Sequence, residues 1–164
     1  MDVQKKRSKK RSATSSLRPL DNFVFFIDRS LGKKAVAKAL REAGAKVEVH
    51  DDHLPQDATD EDWLRYVGAR NWVVLTQDDR IRFHNHERVA LLQANVCAFV
   101  LTAKGLRGEE NGAIIVNALP AIRRMLSKHH GPFIARITRG ADVSLIELPE
   151  QKKRRHKKTT ERDS

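Results

Sequence analysis

Residues 59–81 read TDEDWLRYVGARNWVVLTQDDRI, and the order of signals within them decides the fold. Thr59 is a helix N-cap, and Asp60, Glu61 and Asp62 follow in a first turn, where acids meet the positive end of the helix dipole. Trp63, Leu64 and Val67 then fall on one inward stripe. Trp72–Thr76 is a continuous apolar run rich in β-formers, as expected of a strand covered on both faces, and it closes on Asp78 and Asp79. A helix feeding a buried strand with acids at its carboxyl end is one unit of an α/β domain.

The same pattern extends in both directions. Upstream, Phe23–Ile27 predicts a first buried strand closing on Asp28. A helix should follow, with Val36, Leu40 and Ala43 inward, Lys33, Lys34, Lys38 and Arg41 outward, and Gly44 as its stop. Val47–Val49 predicts the second strand, ending in the loop HDDHLPQDA. Downstream, TQDDRIRFHNH reads as irregular, with a short helix around Val89–Leu92 and a fourth strand over Val96–Thr102. Ile115, Ala118, Leu119, Ile122, Met125 and Leu126 form one helical stripe, in which Pro120 predicts a kink or a junction of two helices. Phe133–Ile137 and Val143–Ile146 read as a closing hairpin turning at Arg139 and Gly140. Strands alternating with helices predict a doubly wound, mainly parallel α/β sheet, whose ligand crevice lies outside the carboxyl ends of the strands.

The formal charge of +11 is unevenly spread. Residues 1–20 carry +6 and residues 150–164 carry +4, leaving +1 for residues 21–149. We therefore expect one domain over 21–149 between two disordered basic tails, which lack the apolar residues needed to offset ordering entropy. Such arms either solubilise the chain or strengthen contact with nucleic-acid phosphates without sequence specificity. The single cysteine, Cys97, excludes a disulfide within the chain. The basic N-terminal run lacks the apolar stretch of a secretory signal, and no run reaches the ~20 apolar residues of a membrane span. A cytoplasmic location and no membrane partner are the expectation.

Asp28, Asp60 and Asp78 each have an ordinary structural explanation as a cap, a first-turn acid or a turn former. Together they open on the same edge of one sheet. Two like charges about 4 Å apart repel by ~4 kcal/mol at an effective dielectric near 20, so gathered carboxylates call for a cation. Oxygen-only ligands suit Mg or Mn rather than zinc. Glu61 and Asp79 are adjacent candidates for the same metal, and Arg29, Lys33, Arg80 and Arg82 are candidates for binding flanking phosphates. His50, His53, His84 and His86 lack the spacing of a zinc site and read as solvated loop residues.

FFIDRSLG (25–32) followed by TDEDWLRYVGARNWVVLTQDDRI (59–81) resembles the PIN-like ribonuclease domains, over roughly residues 23–147. The resemblance sets Asp28 at the end of the first strand, Asp60 at a helix start and Asp78 in the Thr-x-Asp motif with Thr76. It implies Mg- or Mn-dependent hydrolysis of RNA phosphodiesters, with those three aspartates as metal-holding catalytic residues. It also implies a role for some members as the toxin of a toxin-antitoxin pair, hence an antitoxin protein partner, and leaves a homodimer open. One acidic position of longer members has no clear match; Asp51 or Asp52, or Glu61 with Asp79, are the residues available for it. Two other readings compete: a non-catalytic RNA-binding module, and a receiver-like phosphoacceptor domain suggested by VCAFVLTAKG with Thr102 as its switch hydroxyl.

Overall fold

Five apolar runs form parallel strands, β1 (Val24–Ile27), β2 (Lys46–Val49), β3 (Val73–Thr76), β4 (Cys97–Leu101) and β5 (Phe133–Ile137). A sixth, β6 (Val143–Leu145), returns antiparallel beside β5. The connections hold α1 (Ala35–Glu42), α2 (Asp60–Ala69), α3 (Arg80–Phe83), α4 (Asn85–Gln93) and α5 (Gly108–Lys128). The computed structural model from which these elements are taken describes residues 23–146, so the expected basic tails at 1–20 and 150–164 lie outside the described residues.

Strand order across the sheet is β2-β1-β3-β4-β5-β6. Successive strand residues point to opposite faces, so Phe25 and Ile27 pack with α1 and α5 on one side, and Phe26 packs with Trp63, Leu64 and Val67 of α2 on the other. All four residues of β3 are buried, which explains why that strand reads as an unbroken apolar run. The result is a three-layer α/β fold of the doubly wound kind. On the α1 side the helices approach closely. A Cβ on Gly112 of α5 would stand 3.0 Å from the Ala39 Cβ of α1, so a small residue at each contact sets their separation.

This strand order positions the site. The chain leaves β1 toward β2 on one side, then crosses back to form β3 on the other. The carboxyl ends of β1 and β3 therefore border a topological switch point, where open α/β sheets place their ligands. The Asp28 N–H donates to the Leu75 carbonyl at 3.0 Å, continuing the pairing of the two strands to their ends.

Four sequence expectations need correction. Residues 80–83 form a helical turn rather than irregular chain, and α4 begins at Asn85; a four-residue turn is too short to show periodicity. α5 runs through Pro120 as one helix, so the proline does not mark a junction of two; it faces solvent, where water can serve the carbonyl that the proline cannot. Ala43 is exposed, because the helix has already ended at Glu42. His50 is 1% exposed and His53 is half-buried, so neither is a solvated loop histidine; His50 follows β2 directly and packs beside Phe26. Among the described residues, no helix is long and apolar enough to cross a membrane.

Candidate active site

The site is built around a buried hydroxyl. Thr76, the last residue of β3, is fully buried; its Oγ1 donates to Asp28 Oδ2 at 2.8 Å and accepts from the Asp78 N–H at 3.0 Å. Ser30 repeats the arrangement one turn beyond β1. Its hydroxyl donates to the same Asp28 oxygen at 2.7 Å and accepts from the Gln77 N–H at 2.9 Å. Two hydroxyls thus fix one oxygen of Asp28 and the backbone leaving β3, while Oδ1 has no protein donor among the described residues.

Asp60 is delivered by α2. Thr59 and Asp62 form a reciprocal capping box, with bonds of 3.1 and 3.3 Å, which accounts for Asp62 as a structural residue. Asp60 Oδ1 accepts from the Trp63 indole N–H at 3.0 Å, leaving Oδ2 toward Arg80, whose Nη1 lies 4.0 Å away. Asp78 is engaged on both oxygens: Oδ1 accepts from the Arg80 backbone N–H at 3.0 Å and Nε at 3.2 Å, and Oδ2 from Nε at 2.9 Å and Nη2 at 2.7 Å. Burial pushes the Asp78 carboxyl up, yet the bonds from Arg80, with Lys104 nearby, hold it below the usual carboxylate range. Asp78 in turn holds the Arg80 guanidinium firmly in its charged form.

Asp28, Asp78 and Asp60 are thus linked in series, through Thr76 and then through Arg80. The remaining candidates are less central. Glu61 is exposed and pairs with His86 at 3.1 Å. Asp79 pairs with Lys104 at 3.2 Å and with Arg82 at 3.6 Å. Lys33 is taken by Asp51 at 2.5 Å, and Arg82 stacks over the Phe83 ring at 4.7 Å. Of the four basic candidates, only Arg29 is exposed without an ion pair among the described residues. Asp52 is exposed, and Asp51 is engaged by Lys33, so neither joins the series. His53 lies between Glu48 at 2.6 Å and Tyr66 at 3.0 Å, away from any cluster.

The donor chemistry fits a hard divalent ion: three carboxylates at one sheet edge, two of them with one oxygen fixed by a neighbour and one unclaimed. Among the described residues, no three His, Cys, Asp or Glu side chains converge as ligands of one ion; the Arg80 guanidinium reaches Asp78 at 2.7 Å and Asp60 at 4.0 Å.

A family model described as "PIN like domain" matches residues 23–103, the segment that carries β1 through β4 and all three aspartates. Over that segment the chain matches the PIN-like domain family. It is also 29% identical over 113 residues to the Mycobacterium tuberculosis protein named Putative ribonuclease VapC45, covering 66% of this chain and 81% of that one. No solved structure matches the chain significantly.

PIN domain ribonucleases generally use divalent metal ions. The receiver-like reading finds no support: β3 ends on Thr76 where a phosphoacceptor would stand, and the Thr102 hydroxyl donates to the Ile137 carbonyl at 3.3 Å. Three supporting residues escaped the sequence reading. Ser30 was not singled out, although a serine two residues after a strand-end aspartate is well spaced to bond it. Trp63 looked purely apolar, and Lys104, which donates to the Gln77 carbonyl at 2.6 Å, carried no signal.

Proposed function

We propose that the chain is an endoribonuclease that uses Mg or Mn, held by Asp28, Asp60 and Asp78, to hydrolyse RNA phosphodiester bonds. The observation that carries this reading is the Thr76 hydroxyl joining Asp28 to Asp78 across the switch point. The match to the PIN-like domain family and the similarity to a protein named as a putative ribonuclease support it. When bound, the ion would supply an acidified water and neutralise charge on the phosphate during in-line displacement.

The chain's own residues contribute positioning. Ser30 and Thr76 fix one Asp28 oxygen and leave the other for a ligand, and Trp63 does the same for Asp60. Arg29, next to Asp28 and free of ion pairs among the described residues, is the basic side chain most available to a flanking phosphate. Glu61 and Asp79 fall outside the proposed ligand set because neither is tied to the Thr76–Arg80 series; they pair with His86 and Lys104 instead. We assign the catalytic unit to residues 21–149 and a non-specific phosphate-binding role to the tails. An antitoxin partner that restrains the enzyme follows from the toxins within the family.

The test is cleavage of labelled tRNA, rRNA and a broad panel of other RNAs by the full chain with Mg²⁺ or Mn²⁺. EDTA should abolish cutting, and Asp28→Asn and Asp78→Asn should each remove it while the thermal melt stays cooperative. Tight RNA binding that survives EDTA, with no cut anywhere in the panel, would instead make the chain a binding module.

A further inference from the structure

A carboxylate has two oxygens and about four lone-pair sites. In Asp78 all four are accounted for by one residue, since Arg80 contributes its backbone N–H, Nε to both oxygens, and Nη2, at 2.7–3.2 Å. Asp28 and Asp60 differ, because each keeps an oxygen with no hydrogen bond among the described residues. The same guanidinium presents Nη1 to the free Asp60 oxygen at 4.0 Å. A single fixed positive charge therefore lies between two of the three carboxylates proposed to hold the metal. It supplies the counter-charge that such a pair of acids needs.

We infer that Arg80 is a built-in counter-cation that competes with the divalent ion, so that metal loads onto Asp78 and Asp60 only as the Arg80 side chain withdraws. The inference rests on the proposed metal site, and concerns what occupies it at rest. Arg80 is half-exposed at the start of a four-residue helix, so its side chain can swing into solvent without disturbing the core. The fork of a guanidinium matches a carboxylate in a way that a lysine ammonium does not. Withdrawal must expose Asp78 lone pairs that no other donor then covers. In the resting state Arg80 is accordingly not available to substrate phosphate, which leaves that task to Arg29 among the four basic candidates.

Mn²⁺ binding to the full chain, read by the EPR signal of free Mn²⁺ and by calorimetry in the absence of RNA, tests the inference without using activity. Arg80→Ala and the neutral, similarly sized Arg80→Gln should bind Mn²⁺ about tenfold or more tightly than wild type, the scale typical of a residue that tunes a metal site. Arg80→Lys should fall between them and wild type, and Asp78→Asn should bind weakly. In wild type, Mg²⁺ should shift the Arg80 Nε–H resonance in a ¹H–¹⁵N spectrum, as expected if the guanidinium leaves Asp78. Equal or weaker Mn²⁺ affinity in both Arg80→Ala and Arg80→Gln, with wild type still binding, would overturn the inference and leave the metal site intact. If wild type, both Arg80 variants and Asp28→Asn all fail to bind Mn²⁺, the metal reading itself falls, and the inference with it.

Discussion

The Thr76 hydroxyl lies 2.8 Å from Asp28 Oδ2 and 3.0 Å from the Asp78 backbone nitrogen, so one buried atom joins the two acids that border the switch point. Thr76→Val keeps the shape and removes both bonds. The Asp78 N–H then loses its partner, at a cost of about 1–3 kcal/mol in stability. The larger effect should be on activity, because Asp28 loses one of two fixing donors and the β3 exit loses its tie to it. We expect RNA cleavage to fall about 10–100-fold, with Thr76→Ser restoring most of it. Cleavage rates beside thermal melts for both variants provide the check; wild-type rates in Thr76→Val would mean that the hydroxyl does not organise the site.

Some of this was legible in the sequence and some was not. Asp28 and Asp78 could be placed because a buried parallel strand reads as an unbroken apolar run, and whatever follows it stands at the crevice. Asp60 could be placed at the start of α2, but separating it from Asp62 needed coordinates. The capping box engages Asp62, whereas the Trp63 indole holds Asp60, and both acids lie in the same first turn. Arg80 was legible only as a nearby cation. Its fork onto Asp78 depends on a four-residue helix with no detectable period, so the direction of its side chain was hidden. Pro120 offered a junction of two helices for the opposite reason: a strong local signal was overridden by the apolar face of a single 21-residue helix.

Gly68 near the end of α2 marks a contact that composition could not reveal. A Cβ there would drive into the Ala94 carbonyl oxygen at the end of α4, and backbone cannot yield as a side chain can. Gly68→Ala usually favours a helix through propensity. Here we expect the reverse, a loss of about 1–3 kcal/mol from overpacking. Urea denaturation should show a lowered midpoint at unchanged slope; a midpoint at or above wild type would mean that α2 and α4 are not this close.

Asp51 carries a pH signature. Lys33, at 2.5 Å, holds its carboxyl below the usual range, and His50 adds to the effect. Because the folded-state value is depressed, the stabilisation is present above the unfolded value of about 3.9 and is lost as pH falls through the folded value. Asp51→Asn should therefore be less stable than wild type at neutral pH, and the difference should close on acidification below about pH 3.9. Thermal melts from pH 7 to pH 2.5 decide it, and a gap that stays constant throughout would remove Lys33–Asp51 as its source.

The tails offer a separable test, because charge outside residues 21–149 can alter RNA affinity without touching the acids. Replacing Lys5, Lys6, Arg7, Lys9, Lys10 and Arg11 by Gln in the full chain removes six charges while leaving every residue of the proposed site in place. Each phosphate contact on a single strand contributes a slope of about −0.7 to the dependence of log affinity on log salt. Full engagement would thus reduce the slope by about 4, with affinity lost mainly at low salt. The rate of cleavage at saturating RNA should be unchanged, since a uniform binding contribution raises KM without lowering kcat when it is removed. An unchanged slope would show that the N-terminal run does not contact RNA; a lowered kcat would show that it reaches the reacting phosphate, placing the substrate-binding surface beyond the nearly neutral domain that holds Asp28, Asp60 and Asp78.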